Sequence, residues 1–332
     1  MRSRPRAHEE GGRTGRSRRG GAPSAGRRGI TRGRHAVRGR GVVAGVAACG
    51  GRRRPLEGVL VTQLPEVEVA RKSLEREIVG KRIKSVEVKT TALVRHHRNR
   101  PELYRALDGR KIDAVSRRGT ALLLDLDDDC TFVLLMGEHS WIASETASAS
   151  PGRSVQMVTT FTTGGALHYH DVTKTGAMLV LADTELASVP ELTPGGVDPL
   201  ADTFTWQAFN QKLVEWARPL RNVLTDFQVL VGLGDTYADE VLWTAGLSGA
   251  RPSQRLSAQE VRRLYRSVLE VLHEAVKQGG ATEAEAEGDE EESDPFINVY
   301  RRAGQACRRC RTPIRHEKIG GELSYFCPAC QT

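Results

Sequence analysis

The sequence predicts a multidomain α+β chain, and three observations support this prediction. From Ile83 to Leu181 the apolar residues recur mainly at every second position, which is typical of strands. From Trp206 to Lys277 they recur every three or four residues, as in amphipathic helices. Near the C-terminus, four cysteines form two Cys-x2-Cys pairs. With 332 residues, the chain is long enough for a β domain, a helical domain and a small cysteine-rich module.

Residues 1–60 form a distinct N-terminal segment with sixteen Arg, no Lys and three Glu. With few bulky apolar residues the segment cannot bury enough surface to fold, so we expect a disordered Arg- and Gly-rich extension. Three interpretations of this segment are open: a nucleic-acid-binding tail, a transit peptide, or translated upstream sequence. We favour the third, a mis-assigned start with Val61 as the true first residue, because Arg without Lys indicates GC-rich coding bias.

The charge outside this segment is much lower than the total suggests. Residues 1–60 contribute +13, which leaves −5 for the rest of a chain whose net charge is +8. Eight acidic residues between Thr282 and Asp294 account for this deficit, and we interpret residues 281–298 as a solvated acidic linker. No run of about eighteen apolar residues occurs, which excludes a membrane span.

The N-terminal domain is predicted over residues 61–195. It starts with a helix from Leu64 whose apolar residues are spaced by three or four until Gly80 ends it. The predicted strands that follow cover residues 83–88, 112–116, 121–126, 131–136, 155–161, 166–170 and 177–181. Short polar turns between them favour antiparallel pairing, so we expect a β-sandwich.

A helical domain is predicted over residues 196–280. Its predicted helices cover residues 206–216, 220–231, 235–245 and 257–277. Ser257 and Glu260 form a capping box at the start of the last helix, and Gly279-Gly280 ends it.

A glycine turn precedes the third of these helices. Gly232 and Gly234 permit a tight turn with accessible backbone N–H groups, and Asp235 is a suitable N-cap. Because the first N–H groups of a helix lack helical partners and the helix dipole favours an anion, this turn is a candidate phosphate site. An ordinary turn without a ligand is the alternative interpretation.

The C-terminal module spans residues 299–332 and contains the two cysteine pairs. Sixteen residues separate Cys307-x2-Cys310 from Cys327-x2-Cys330, a spacing typical of two knuckles that bind one tetrahedral Zn²⁺. Four thiolates leave no open coordination position, so the predicted zinc is structural and holds a small ribbon together. Thiol pairs of this kind indicate a reducing, intracellular compartment.

Five motifs, in this order along the chain, resemble the bacterial formamidopyrimidine-DNA glycosylase and endonuclease VIII family of base-excision-repair enzymes. They are Leu64-Pro65-Glu66-Val67-Glu68, Gly195-x2-Asp198-Pro199-Leu200, Gly232-x-Gly234-x2-Tyr237-Ala238-Asp239-Glu240, Gln278-Gly279-Gly280 and Val299-Tyr300-x-Arg302-x-Gly304-x2-Cys307. The resemblance covers residues 61–331 and implies a β-sandwich, a helix-two-turn-helix domain and a zinc ribbon. It also implies a groove for kinked duplex DNA in which the damaged base is flipped out.

The catalytic residues that the resemblance implies are mostly substituted. The family begins with a Pro whose amine attacks the sugar and a Glu that assists proton transfer, and Thr62 and Gln63 stand at these positions. The family's lysine after two arginines is replaced by Thr120. A carboxamide cannot exchange a proton near neutral pH, and the Thr62 amine would be free only in a chain that starts at Val61 and loses it. Glu66 remains a possible acid or base, although pairing with the helix N-terminus is the simpler role.

The positions that contact DNA in the family also differ. The candidate DNA-binding residues are Lys174, Gly232, Gly234, Asp235, Tyr237 and Glu322. The family's wedge loop corresponds to residues 171–176, which contain no aromatic residue. Asp235 replaces an Asn after the glycine turn and Glu322 replaces an Arg of the zinc hairpin. These two carboxylates would repel a phosphate unless water or a cation intervenes.

Two histidine pairs are weaker candidates. His168 and His170 face the same side of a predicted strand, so a metal site is conceivable, but a solvated or groove-lining pair is the simpler interpretation. His96 and His97 lie in an arginine-rich segment that could contact a nucleic-acid backbone or form an exposed loop.

We therefore predict a damaged-DNA-binding protein of this family, monomeric, cytoplasmic and associated with the nucleoid, that binds double-stranded DNA without the family's standard catalysis. An active glycosylase and abasic-site lyase that uses the Thr62 amine is the alternative. A scaffold for RNA or protein is a third interpretation. The sequence does not identify the lesion.

Overall fold

The computed structural model describes residues 63–95, 97–280 and 296–332. The predicted extension over residues 1–60, Thr62, His96 and most of the predicted acidic linker lie outside these ranges. No helix within them is long and apolar enough to span a membrane.

The helices are α1 (Leu64–Ile78), α2 (Arg100–Leu107), α3 (Trp206–Glu215), α4 (Leu220–Leu224), α5 (Asp235–Ala245) and α6 (Ala258–Gln278). The strands are β1 (Ile83–Val88), β2 (Ile112–Arg118), β3 (Ala121–Leu126), β4 (Cys130–Leu135), β5 (Ser140–Glu145), β6 (Val155–Phe161), β7 (Ala166–Asp171), β8 (Ala177–Ala182), β9 (Arg315–Ile319) and β10 (Glu322–Phe326).

Two antiparallel sheets form the N-terminal domain and confirm the predicted sandwich. Their strand orders are β1-β6-β7-β5 and β2-β3-β4-β8. In the second sheet Leu124, Phe132 and Val180 stand side by side on neighbouring strands, and all three are buried. They share one apolar core with Leu167 and Tyr169 of the first sheet. The alternating sequence therefore places one face of each sheet in a common interior.

Two elements of this domain are absent from the sequence prediction. β5 is an edge strand in which Trp141 and Glu145 are exposed. α2 buries only Leu103 and Leu107, which lie one helical turn apart, and the Asn99 side chain caps its start by accepting the Glu102 N–H. Both segments are short and polar, so they carry little periodic signal.

The helical domain follows the prediction except at two helix ends. α4 ends at Leu224, because residues 229–231 pair with Val197 instead; the N–H of Val197 donates to Val229 O at 3.0 Å, and the N–H of Val231 donates to Val197 O at 3.0 Å. α5 has Gly234 as its N-cap, so Asp235 is its first helical residue and not the predicted cap. The predicted capping box at the start of α6 is present.

α1 connects the two domains. It packs against β2 of the sandwich and against α6 of the helical domain. Val67 and Leu74 belong to the sandwich core, whereas Leu64 at its first turn contacts the glycine turn that precedes α5. The start of α1 is thus held where the two domains meet.

Candidate functional site

The first turn of α1 meets the glycine turn at short range. Leu64 donates its N–H to Gly232 O at 2.8 Å, and Gly232 has a φ of +69°. A Cβ added at Gly232 would lie 2.7 Å from Thr120 Cγ2 and 3.0 Å from Leu64 Cβ. Only glycine fits both the left-handed backbone and this approach. Three predicted site positions, at the start of α1, on the β2–β3 turn and before α5, therefore lie together.

The Gln63 side chain lies against the same turn. Its Nε2 donates to Thr236 Oγ1 at 3.3 Å, and a Cβ at Gly234 would be 2.7 Å from Gln63 Cδ. Its Oε1 is buried and has no hydrogen-bond partner within the described part of the chain. Gln63 therefore presents an uncharged carboxamide at the position where the resemblance implies an acid.

Glu66 contacts α5. Tyr237 donates its hydroxyl hydrogen to Glu66 Oε1 at 2.5 Å, and a Cβ at Gly280 would be 3.0 Å from Glu66 Cγ. Tyr237 is fully buried in the helical core, so its side chain does not lie on an exposed surface as its predicted contact with DNA requires. Glu66 therefore links the start of α1 to α5 and to the residues after α6. Pairing with the N-terminus of its own helix was the simpler role expected from the sequence.

An ion-pair network holds α1 to the entrance of the helical domain. The guanidinium of Arg117 donates to Glu68 Oε2 at 2.7 Å and also pairs with Asp198. Burial alone would raise the pKa of Glu68, but hydrogen bonds from Arg71 and Arg117 lower it below its usual value. The Glu68 and Asp198 motif positions thus fix the relative position of elements around the site.

Asp235 lies beside a buried cation. Its Oδ1 is 2.9 Å from Nη2 of Arg221, a residue of α4 that is fully buried. The sequence predicts that Asp235 repels a phosphate unless a cation intervenes, and Arg221 is such a cation. Nothing in the local sequence indicates this pair, because Arg221 belongs to a different helix.

The remaining candidate positions lie on exposed segments. Lys174 is in the loop between β7 and β8, with a φ of +58°, and its N–H donates to Asp171 Oδ1 at 2.6 Å. Glu322 is exposed at the start of β10. Lys174 therefore lies on a loop and Glu322 on the zinc hairpin. Neither residue lies on the elements that carry Gln63 and Thr120.

The described histidines pack against protein groups and do not converge into a metal site. His168 is buried, which contradicts a solvated position, and His170 stacks on Trp141 with ring centroids 4.4 Å apart. His97 accepts the N–H of Val180 through Nε2 at 2.9 Å, so it is anchored to β8 and is not a free loop residue.

The four cysteines converge as predicted. The Sγ atoms of Cys307, Cys310, Cys327 and Cys330 all lie within 4.8 Å of one another. Trp243 Nε1 and the Arg309 N–H each donate to Cys307 Sγ at 3.4 Å. Four convergent sulfurs, one of them accepting two N–H groups, fit thiolates around a single Zn²⁺. The zinc is structural, because all four of its ligands are protein thiolates.

Two adjacent carboxylates of α5 dock the zinc ribbon. Asp239 accepts from Ser324 Oγ at 2.8 Å and from the Tyr325 N–H at 2.7 Å. Glu240 accepts the N–H groups of Val299 at 2.7 Å and Tyr300 at 3.0 Å. Burial raises the pKa of Asp239 to about 6 against the opposing effect of these donors. Asp239 and Glu240 belong to the glycine-turn motif, and two neighbouring acids on an apolar helix are a signal from which this docking role was not predicted.

Zinc removal is expected to unfold residues 299–332 and to leave the sandwich and the helical core folded. The ribbon's own buried apolar cluster consists of Val299, Ile314 and two of the cysteines, which is too little to fold without metal. Hydrogen exchange with and without a chelator should show lost protection in β9 and β10 and retained protection in α6. Less than about half an equivalent of zinc in freshly purified, reduced protein would contradict the assignment.

Three family models match successive parts of the chain. Formamidopyrimidine-DNA glycosylase N-terminal domain matches residues 62–178, Formamidopyrimidine-DNA glycosylase H2TH domain matches residues 196–286, and Zinc finger found in FPG and IleRS matches residues 304–332. Their order agrees with the sandwich, the helical domain and the ribbon.

Individual relatives match over nearly their whole length. The formamidopyrimidine-DNA glycosylase of Geobacillus kaustophilus is 35% identical over 275 residues, covering 81% of this chain and 99% of the relative. That of Streptococcus pneumoniae R6 is 34% identical, covering 81% and 98%. The solved complex of Lactococcus lactis Fpg with DNA containing an abasic site has a TM-score of 0.73 and 28% identity, covering 81% and 99%. A complex of MutM with DNA containing carbocyclic 8-oxo-G has a TM-score of 0.72 and 28% identity, covering 81% and 99%.

Proposed function

We propose that this chain, which belongs to the formamidopyrimidine-DNA glycosylase family, binds damaged or distorted duplex DNA in base-excision repair without the standard catalysis of its relatives. We further propose that it does so as a monomer.

The placement of Gln63 is the observation that carries the proposal. Its carboxamide rests on Gly234 and donates to Thr236, at the sequence position where the resemblance implies an acid. An amide neither accepts nor releases a proton near neutral pH, and general acid–base roles contribute about a hundredfold or more to rate. The Thr120 side chain, packed on Gly232, likewise offers a methyl group where the family has an ammonium group.

Exposed cations on the zinc ribbon support binding to a polyanion. We call them the basic hairpin surface, and they are Arg308, Arg309, Arg311, Arg315 and Lys318. Arg309 lies over the Trp243 ring, with its Cζ 4.2 Å from the ring centroid, so one of these cations is fixed in place. Exposed cations attract a phosphate backbone in a salt-dependent way, and here they outnumber the exposed carboxylates of the hairpin, Glu317 and Glu322. Solved relatives with DNA bound, among them the Lactococcus lactis complex, support duplex DNA as that polyanion.

Fluorescence anisotropy tests the proposal with a short duplex containing a tetrahydrofuran abasic analogue and with the undamaged duplex. We expect the damaged duplex to bind about tenfold more tightly, because a base-flipping groove binds most easily where the base is already missing. Arg315→Gln should weaken binding to both and reduce the salt slope by about 0.9, the value for one phosphate contact. Arg105→Gln is the control, since Arg105 is also exposed but lies on α2.

Two results of this experiment would contradict the proposal. Equal affinity for the damaged and undamaged duplexes would show that the protein does not recognise damage. Equally tight competition by a structured RNA would favour a scaffold that binds RNA.

A further inference from the structure

Arg221 of α4 is a fully buried cation that lies beside the first residue of α5. Its Nη2 donates to Leu323 O of the zinc hairpin at 2.7 Å and lies 2.9 Å from Asp235 Oδ1. Its Nε is 3.3 Å from Asp239 Oδ1. Its Nη1 is buried and has no hydrogen-bond partner within the described residues. A buried guanidinium with one unused nitrogen retains capacity to bind a further anionic oxygen.

The two carboxylates around Arg221 differ in how firmly they are held. Asp239 is fully buried and is also bound to Ser324 and Tyr325, so it cannot leave without breaking the ribbon contact. The Asp235 side chain is 45% exposed and forms an ion pair with Arg221. Asp235 can therefore leave Arg221 without breaking a contact to the zinc ribbon, whereas Asp239 cannot.

The exchangeable carboxylate occupies the position where an anion is favoured. Asp235 is the first residue of α5, directly after the glycine turn, so the helix dipole and the first N–H groups attract negative charge there. A backbone phosphate that approaches this turn meets the Asp235 carboxylate, which is paired with Arg221.

We propose that Asp235 is an internal substitute for a DNA phosphate. In the free protein its carboxylate neutralises Arg221, and on binding a backbone phosphate takes its place, so that Arg221 becomes a phosphate-binding residue. The identity of the phosphate as DNA rests on the function proposed above. The phosphate takes over the role of the Asp235 carboxylate as the anion beside Arg221. The displaced carboxylate stays nearby and repels the phosphate. Binding of duplex DNA is thereby weakened, since each binding event must displace Asp235.

Asp235→Asn tests this proposal, because it removes the charge and keeps the shape. We expect it to tighten duplex binding about tenfold and to steepen the salt slope by about 0.9, the contribution of one added phosphate contact. Glu215→Gln is the matched control; its side chain is 44% exposed, it also pairs with a cation, Lys212, and it changes the net charge equally. Adding Arg221→Lys to Asp235→Asn should cancel most of the gain, because an ammonium group lacks the planar set of donors.

A second measurement does not depend on DNA. Inorganic phosphate should raise the melting temperature of Asp235→Asn more than that of the wild type or of Glu215→Gln, because only this variant lacks the carboxylate that competes with the anion for Arg221. Equal phosphate responses together with equal duplex affinities would overturn the proposal, as would weaker duplex binding by Asp235→Asn. A phosphate response confined to Asp235→Asn in a protein that binds no duplex would uphold the inference and refute the proposed function.

Discussion

Replacement of Glu240 by alanine is expected to lower the free energy of unfolding by about 3 kcal/mol or more, because it leaves buried N–H groups without an acceptor. Glu240 is 1% exposed. Its two carboxylate oxygens accept the backbone N–H groups of Asn298, Val299 and Tyr300 at 2.7 to 3.0 Å. The chain entering the zinc ribbon is held to α5 by these bonds.

Urea denaturation of the zinc-loaded protein would measure this effect. Glu240→Gln should lie between the wild type and the alanine variant, because the amide oxygen can still accept some of the bonds. Glu274→Ala is the control; its side chain on α6 is 43% exposed, so it should change stability by less than about 0.5 kcal/mol. Equal stability losses in Glu240→Ala and Glu274→Ala would contradict the docking role of Glu240.

Restoring the implied catalytic residues is expected to raise strand cleavage at abasic sites at least about a hundredfold, because one general acid–base role alone contributes that much. The variant combines Thr62→Pro, Gln63→Glu and Thr120→Lys in a chain whose first residue is position 62. Glu at position 63 is nearly isosteric with Gln63, which already lies against Gly234. The lysine at position 120 must extend past Gly232, and this is the change with the largest steric demand.

The matched control carries the same three substitutions behind the full N-terminal segment. It should stay inactive, because proline at position 62 then has no free amine. Circular dichroism would establish that both proteins are folded. A folded restored variant with no gain in cleavage would show that the loss of activity lies elsewhere in the site.

Features that depend on local spacing were predictable from the sequence. The cysteine spacing predicted the convergent thiols, and Ser257 with Glu260 predicted the capping box that the structure contains. The bounds of α5 were predicted correctly, because its apolar face and Gly246, with a φ of +65°, mark a complete helix. Each of these signals is contained within one helix or one short module of the chain.

Features that depend on contacts between distant segments were not predictable. Arg221 was read as one residue of a longer helix, yet it is the cation that compensates Asp235. The α4 helix was predicted too long, because the pairing of residues 229–231 with Val197 is a tertiary contact. Tyr237 was predicted at the DNA surface from its motif, whereas it is buried and bound to Glu66, a residue distant from it in the sequence.

Single-turnover reaction with a duplex carrying an abasic site tests the central claim most directly. The protein is used at a concentration that anisotropy shows to be saturating, in the full chain and in a form starting at Thr62, and borohydride is added to trap any Schiff base. We predict saturable binding by both forms, with strand cleavage at background and no trapped adduct. A trapped adduct in the Thr62 form alone would support the alternative, an enzyme using that amine. Efficient cleavage by both forms would contradict the account.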